Sequence, residues 1–352
     1  MTIIFDLKDI IYKIMNHIKL FENYGDLVEL NSREINYLEK YGVYWPVYIK
    51  KDDDGYYYVG FDRIRFDGKK QLTICDGLKN VPKAYIDFIC DATSIKGYKI
   101  NDDFSIDVDG SVNLSQTLGG SGGGRMYKLP LMFNNVSGSF YCSENELTTL
   151  EGSPKEVGGN FHCFGNKLTT LEGSPKEVGE DFICDDNNLT TLKGGPKEVG
   201  GDFDCSNNKL ATLKGGPNIV EGFFVCDGNN LITLKGSPEK VGDFYCRYNS
   251  LITLNGGPNI VLGDFYCTDN KLTTLEGAPR EVGGDFFCDS NMLITLKGSP
   301  EKVLGDFYCH HNQLTTLEGC PKEVGGDFNC RHNKKLTNLD GIGKVGGDLF
   351  ID

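Results

Sequence analysis

The chain has 352 residues, 39% of them hydrophobic and 24% charged, with 45 Gly, 13 Cys and a formal net charge of -14. Most of that charge lies in residues 137–352, and an acidic surface repels phosphate, which excludes nucleic acid and anionic membrane as partners of this part. An odd number of cysteines without a CxxC pair, and no apolar run long enough to span a bilayer, point to reduced thiols in a soluble, cytoplasmic protein.

The first residues, "MTIIFDLKDIIYKIMNH", carry acids where a secretory leader needs a basic start and an unbroken apolar run. Ile10, Ile11, Ile14, Ile18 and Phe21 instead form a helical stripe, and "NSREINYLEKYG" sets Asn31 and Glu34 at capping-box spacing, with Gly42 as a stop. Residues 1–57 are therefore expected to be a helical cap. Residues 58–128 read as degenerate repeats with strand pairs at Ile64 and Phe66, Phe88 and Cys90, and Val112 and Leu114. A flexible Gly-rich insertion stands at 119–124, "GGSGGG".

From residue 129 to 352 the chain is periodic. Ten cysteines from Cys142 to Cys330 are 21 residues apart at every step except one of 20, and a short internal period means a stack of coils rather than one large core. Aligned on Cys, the repeat reads V-G-G-D-F-x-C-x-x-N-x-L-x-x-L-x-G-x-P, as in "VGGDFDCSNNKLATLKGGP" at 199–217. Phe and Cys at i and i+2 share one face of a strand, with Cys acting as a small hydrophobe. The Asn three residues later can donate to and accept from backbone at a corner, so stacked copies predict an internal amide ladder. The following Leu pair closes the core, and Gly and Pro mark the turn to the next coil. "KVGGDLFID" places Leu349 and Ile351 in the Phe and Cys columns as an eleventh strand.

The segment F-x-C-x-x-N-x-L-x-x-L resembles the leucine-rich repeat signature L-x-L-x-x-N-x-L, and "NKLTTLEGSPKEV" resembles the short-period repeats of secreted bacterial effectors and of uncharacterised tailed-phage proteins. The resemblance implies a right-handed leucine-rich-repeat-like solenoid with one long parallel β-sheet, 21-residue repeats and a role in binding proteins. It also suggests a virus-encoded factor acting in host cytoplasm. The ligase domain that accompanies such repeats in some effectors has no counterpart here.

In a strand with Phe and Cys inward, the positions three before, one before and one after Cys face outward together. The column before Cys gives Tyr245, Tyr266, Phe287 and Tyr308 on four consecutive coils, an aromatic row of about 15 to 20 Å at a strand spacing near 4.8 Å. Such a row can anchor a partner or can merely stabilise the sheet through cross-strand contacts, and both readings stand. Beside it, Asp243, Asp264, Asp285 and Asp306 stack at a spacing where like charges repel, so backbone donors, cations or a basic partner must offset them. Backbone hydrogen bonds are the expected offset, since a residue repeated in nearly every coil is structural. Arg247 and His310 follow Cys and add local identity. His310, His311 and His332 cluster without a thiol or carboxylate set, a surface arrangement rather than a metal site. No phosphate loop, nucleophile elbow or HExxH motif occurs.

The sequence therefore predicts a non-catalytic module, without cofactor or metal, binding a protein of basic surface through its open sheet. The partner-binding residues would be Tyr245, Tyr266, Phe287, Tyr308, Asp243, Asp264, Asp285, Asp306, Arg247 and His310. A structural or virion-associated role and a small enzyme built on residues 1–128 are the alternatives. The sequence sets no oligomeric state.

Overall fold

The computed structural model describes residues 47–51, 57–61, 72–74, 81–115 and 126–352. The periodic letters wind the chain into coils of three short sides. On the first side, Phe203 pairs in parallel register with Phe182 and Phe224, and the same Phe-on-Phe register repeats from coil to coil. Twelve two-residue strands, from Val112–Asn113 to Leu349–Phe350, form this Phe sheet. Ten phenylalanines, Phe140 to Phe328, are fully buried under it. Their rings stack at 5.1–5.6 Å with interplanar angles of 7–23°. Offset stacking of this kind adds about 0.5–1.5 kcal/mol per pair beyond the area buried.

The solenoid is the expected one, with an addition. Dipeptides such as Glu198–Val199 form a second parallel array, the Val sheet of thirteen strands, on the side that was read as turn. Its valines are buried as far as Val324, and alternation within the dipeptide leaves the Glu, Lys or Ile side chain outside. The two sheets meet at the Gly-Gly corner. There the second glycine is needed because a Cβ at Gly284 would collide with the Asp264 carboxylate of the preceding coil.

The residue two after Cys has positive φ in every regular coil, from Glu144 at 58° to His332 at 58°, and this left-handed turn starts the third side. The buried asparagine next to it secures the corner. Asn208 Nδ2 donates to the carbonyls of Cys184, Cys205 and Ser206 at 3.1, 3.2 and 3.0 Å, while its Oδ1 accepts the Leu189 N–H at 2.8 Å. The amide ladder expected from the sequence is thus present, and each asparagine ties two coils together. The third side ends at a glycine with φ between 85° and 103°, such as Gly215 at 89°, a conformation that a side chain strains.

At the N-terminal end, helix α1 (Val81–Ala92) buries Ile86, Ile89 and Cys90 in the same continuous core as the repeats. Phe88 and Cys90 therefore belong to a helix, which corrects the strand pair expected there. The segment imitates "PKEVGGDFDC" but has no glycine between Pro82 and Cys90, so it cannot make the tight Gly-Gly corner. Pro82 in the first turn and apolar residues at 86, 89 and 90 satisfy a helix instead. The helix is tied to the strand Tyr98–Ile100 by the Tyr98 hydroxyl, which donates to Asp87 at 2.7 Å. That strand runs antiparallel to Ile106–Val108 and is the one antiparallel edge of the Val sheet.

Val112 and Leu114 are fully buried, with Val112 opposite Phe140 across a 28-residue step. The pair Ile64 and Phe66, the Gly-rich 119–124 stretch and most of the helical cap expected over 1–57 lie outside the described residues; the described part of that span, Val47–Lys51 and Tyr57, is strand, which corrects the helix expected there. Within residues 47–74, Val47–Lys51, Tyr57–Phe61 and Leu72–Ile74 pair as three antiparallel strands.

Candidate functional site

The ring planes of the outward row are parallel. Tyr245 stacks on Tyr266 at 4.6 Å, Tyr266 on Phe287 at 4.3 Å and Phe287 on Tyr308 at 4.6 Å, all within 8° of parallel. The register Tyr245 to Tyr266 to Phe287 to Tyr308 is the strand register itself, so the Phe sheet builds this row as directly as it builds the buried one. Stacking consumes the ring faces. The row itself is half-buried.

The aspartates beside it carry a second repeat. Oδ1 of Asp243 accepts the N–H of Asp264 at 2.9 Å, and the same bond runs from Asp264 to Asp285, from Asp285 to Asp306 and from Asp306 to Asp327 at 2.7 Å. Charge-assisted bonds to backbone donors thus offset the stacking of carboxylates. The other oxygen, Oδ2, accepts the tyrosine hydroxyl of its own coil, Tyr245 on Asp243 and Tyr266 on Asp264 at 3.0 Å, and Tyr308 on Asp306 at 2.8 Å. Burial and the Asp243 carboxylate push the Tyr245 phenol up to about 12. The bond to Asp306, with burial, pushes Tyr308 up to about 12, and burial with Asp264 raises Tyr266 as well.

Arg247 lies 5.2 and 5.5 Å from the Tyr245 and Tyr266 ring centroids. It is pinned there by Asp227, whose Oδ2 accepts from Nε at 2.8 Å and pairs with Nη2 at 2.6 Å. His310 meets the Tyr308 ring edge-on at 6.2 Å, and its Nε2 stands 3.7 Å from Asp289 Oδ2. Burial, then the neighbouring His311 and His332, lower the His310 pKa against the pull of Asp289. His311 stacks on His332 at 4.3 Å, extending the aromatic surface by one coil. The structure thus brings all ten sequence-derived residues onto one face. The column after Cys is deeper than expected, with Asp227 and Thr268 buried, because the strand is only two residues long and the chain has begun to turn.

Three features escaped the sequence reading. Phe223, in the aspartate column, packs edge-on against Tyr245 at 6.1 Å and ends the row. Asp185, Asp204 and Asp227 gather on the earlier coils, and burial followed by Asp204 and Asp186 pushes Asp185 up to about 6. The columns beside Cys give the positions of Phe223 and Asp204 but not these contacts. On the Val sheet, an open groove of about 710 Å³ runs over Gly158, Gly179 and Gly200 beside Glu156, Glu177 and Glu198. Its sequence signal is the repeated Glu-Val dipeptide between the Pro turn and the Gly-Gly corner. The later coils of that sheet are instead charge-alternated, with Glu323 between Lys302 at 3.4 Å and Lys344 at 3.7 Å.

The repeat thiols are free and buried, and burial raises them far above the ordinary thiol range. No family model and no curated protein matches the chain. Among solved structures, YopM from Yersinia enterocolitica WA-314 is similar at 15% identity and a TM-score of 0.43, over 78% of this chain and 69% of that one. The assignment as a leucine-rich-repeat-like solenoid rests on the coil itself: parallel strands, a 21-residue period and a buried asparagine corner. No helix among the described residues is long and apolar enough to cross a membrane.

Proposed function

We propose that this chain is a non-catalytic protein-interaction module whose docking face is the outer side of the Phe sheet, and that its partner presents a basic surface there. One observation carries the reading. A half-buried four-ring aromatic row runs beside a column of carboxylates, and the nearby cation Arg247 is already spent on Asp227. Aromatic rings with fixed rotamers give contact area at low entropy cost, while the carboxylates steer a cationic surface. Tyr245, Tyr266, Phe287 and Tyr308 are the anchors, Asp243, Asp264, Asp285 and Asp306 the steering charges, and Arg247 and His310 mark the two ends. The resemblance of "NKLTTLEGSPKEV" to tailed-phage repeat proteins motivates the finer reading of a virus-encoded factor acting on a host protein in host cytoplasm.

The test is retention of partner from native cell lysate by wild type and by a variant with Tyr245, Tyr266 and Tyr308 replaced by Ala. Loss of the partner with an unchanged circular-dichroism spectrum supports the reading. Unchanged retention with intact folding overturns it.

A further inference from the structure

Within the aromatic row the hydroxyl-to-carboxylate pattern has one gap; outside the row Asp181, Asp202 and Asp327 also lack a tyrosine two residues on, but no ring row flanks them. On the coils of Asp243, Asp264 and Asp306 a tyrosine two residues on fills Oδ2. On the coil of Asp285 the corresponding residue is Phe287, which stacks between Tyr266 and Tyr308 at 4.3 and 4.6 Å and so turns a bare ring edge to the place where a hydroxyl would stand. Asp285 Oδ1 accepts the Asp306 N–H at 2.7 Å, but its Oδ2 accepts no bond among the described residues. Burial, together with the neighbouring carboxylates of Asp264 and Asp306, raises the Asp285 pKa.

We propose that Asp285 is the seat of a lysine ammonium supplied by the protein partner, an inference that rests on reading the Phe sheet as the docking face. The geometry favours lysine over arginine. With Oδ1 held by backbone, one carboxylate oxygen remains, which suits a compact point charge and denies a guanidinium its two-pronged grip. The four-carbon stem can lie along the apolar edge of Phe287 while the head reaches Oδ2 between two further carboxylates. Elsewhere in the row the tyrosine hydroxyl competes for the same oxygen, so the Asp285 coil selects where the cation sits.

The experiment uses the full chain and two readouts. First, carboxyl carbon resonances are followed while n-butylammonium, n-butylguanidinium or n-butanol is added to wild type, Asp285→Asn and Phe287→Tyr. The expected result is a saturable shift at Asp285 with n-butylammonium, about fivefold tighter than with n-butylguanidinium, as suits a partly exposed charge pair. It should be absent with butanol and lost in Phe287→Tyr, which keeps the carboxylate but fills Oδ2. Equal shifts at Asp264 and Asp306, or a response unchanged in Phe287→Tyr, overturn the proposal. Second, Phe287→Tyr should reduce partner retention from lysate about fivefold. Full retention by Phe287→Tyr with loss in the triple alanine variant discards the lysine seat and keeps the docking face. Full retention by both discards both.

Discussion

Replacing Asn208 by Ala tests the corner that holds the array together. The side chain serves four backbone groups, and the substitution leaves them unequally affected. The Cys184 carbonyl keeps a bond from Asn187 and the Cys205 carbonyl keeps one from Asn229, whereas the Leu189 N–H loses its acceptor in a fully buried setting. One orphaned buried donor costs about 1–3 kcal/mol, and the weakened carbonyl contacts bring the expected loss to about 3 kcal/mol. Urea denaturation followed by circular dichroism gives the global loss, and amide exchange at Leu189 gives its location. Pairs of substitutions then separate a ladder from a sum of independent corners. Adding Asn229→Ala strips Cys205 of both amides, so the pair should cost more than its parts. Adding Asn291→Ala, four coils away, should be additive within a few tenths of a kcal/mol. A loss under about 1 kcal/mol with Leu189 still protected, or plain additivity for the adjacent pair, would refute the account.

Other consequences follow from the charges. Asp185, raised from 3.8 to about 6, binds its proton more tightly in the folded chain, so its share of stability is full below pH 4 and is lost as pH rises through about 6. Asp185→Asn should accordingly stabilise the protein at pH 7 by about 1 kcal/mol after solvent screening, and the gain should vanish in melts at pH 4. Tyr308 has the same sign at the other end of the scale: its bond to Asp306 holds below pH 10 and fails as pH passes about 12. In Asp306→Asn the Tyr308 ring resonance should titrate closer to pH 10. Among the described thiols, alkylation with iodoacetamide mapped by mass spectrometry should modify Cys320 first, since it is half-buried where the repeat cysteines are buried. Labelling of Cys246 at the same rate would contradict the packing.

Legibility differed by feature, for physical reasons. Phe203, Cys205 and Asn208 were readable because each repeats at one offset and does one job: alternation turns Phe and Cys inward, and an amide is the side chain that can satisfy both donors and acceptors at a corner. The pairing of the aspartates with backbone N–H groups was readable as a need, since stacked like charges require an offset. Glu198–Val199 was missed because two residues are too short to show alternation, and the strand becomes recognisable only when neighbouring coils pair with it. Phe88 and Cys90 misled because the letters of the repeat were present without its glycine corner. The ring geometry was also hidden: spacing fixes which residues are neighbours, but not that their planes lie parallel and their faces are used up.

That last point changes what specificity can mean on this surface. Three stacked pairs in the outer row contribute about 0.5–1.5 kcal/mol each whether or not a partner arrives, so the row is also part of what holds the later coils together. What recurs along the array, the phenylalanine stack, the amide ladder and, in most coils, the aspartate-to-backbone bond, is satisfied within the array and has little left to offer another molecule. Recognition must therefore come from positions where one coil departs from its neighbours. Phe223 replaces an aspartate, Arg247 stands between coils that carry Asp227 and Thr268, and Phe287 replaces a tyrosine. The third departure is the one that leaves a charged acceptor open. A partner reading this face would be reading differences between coils, and the Asp285 coil is where such a difference exposes an unfilled carboxylate oxygen at the edge of the aromatic row.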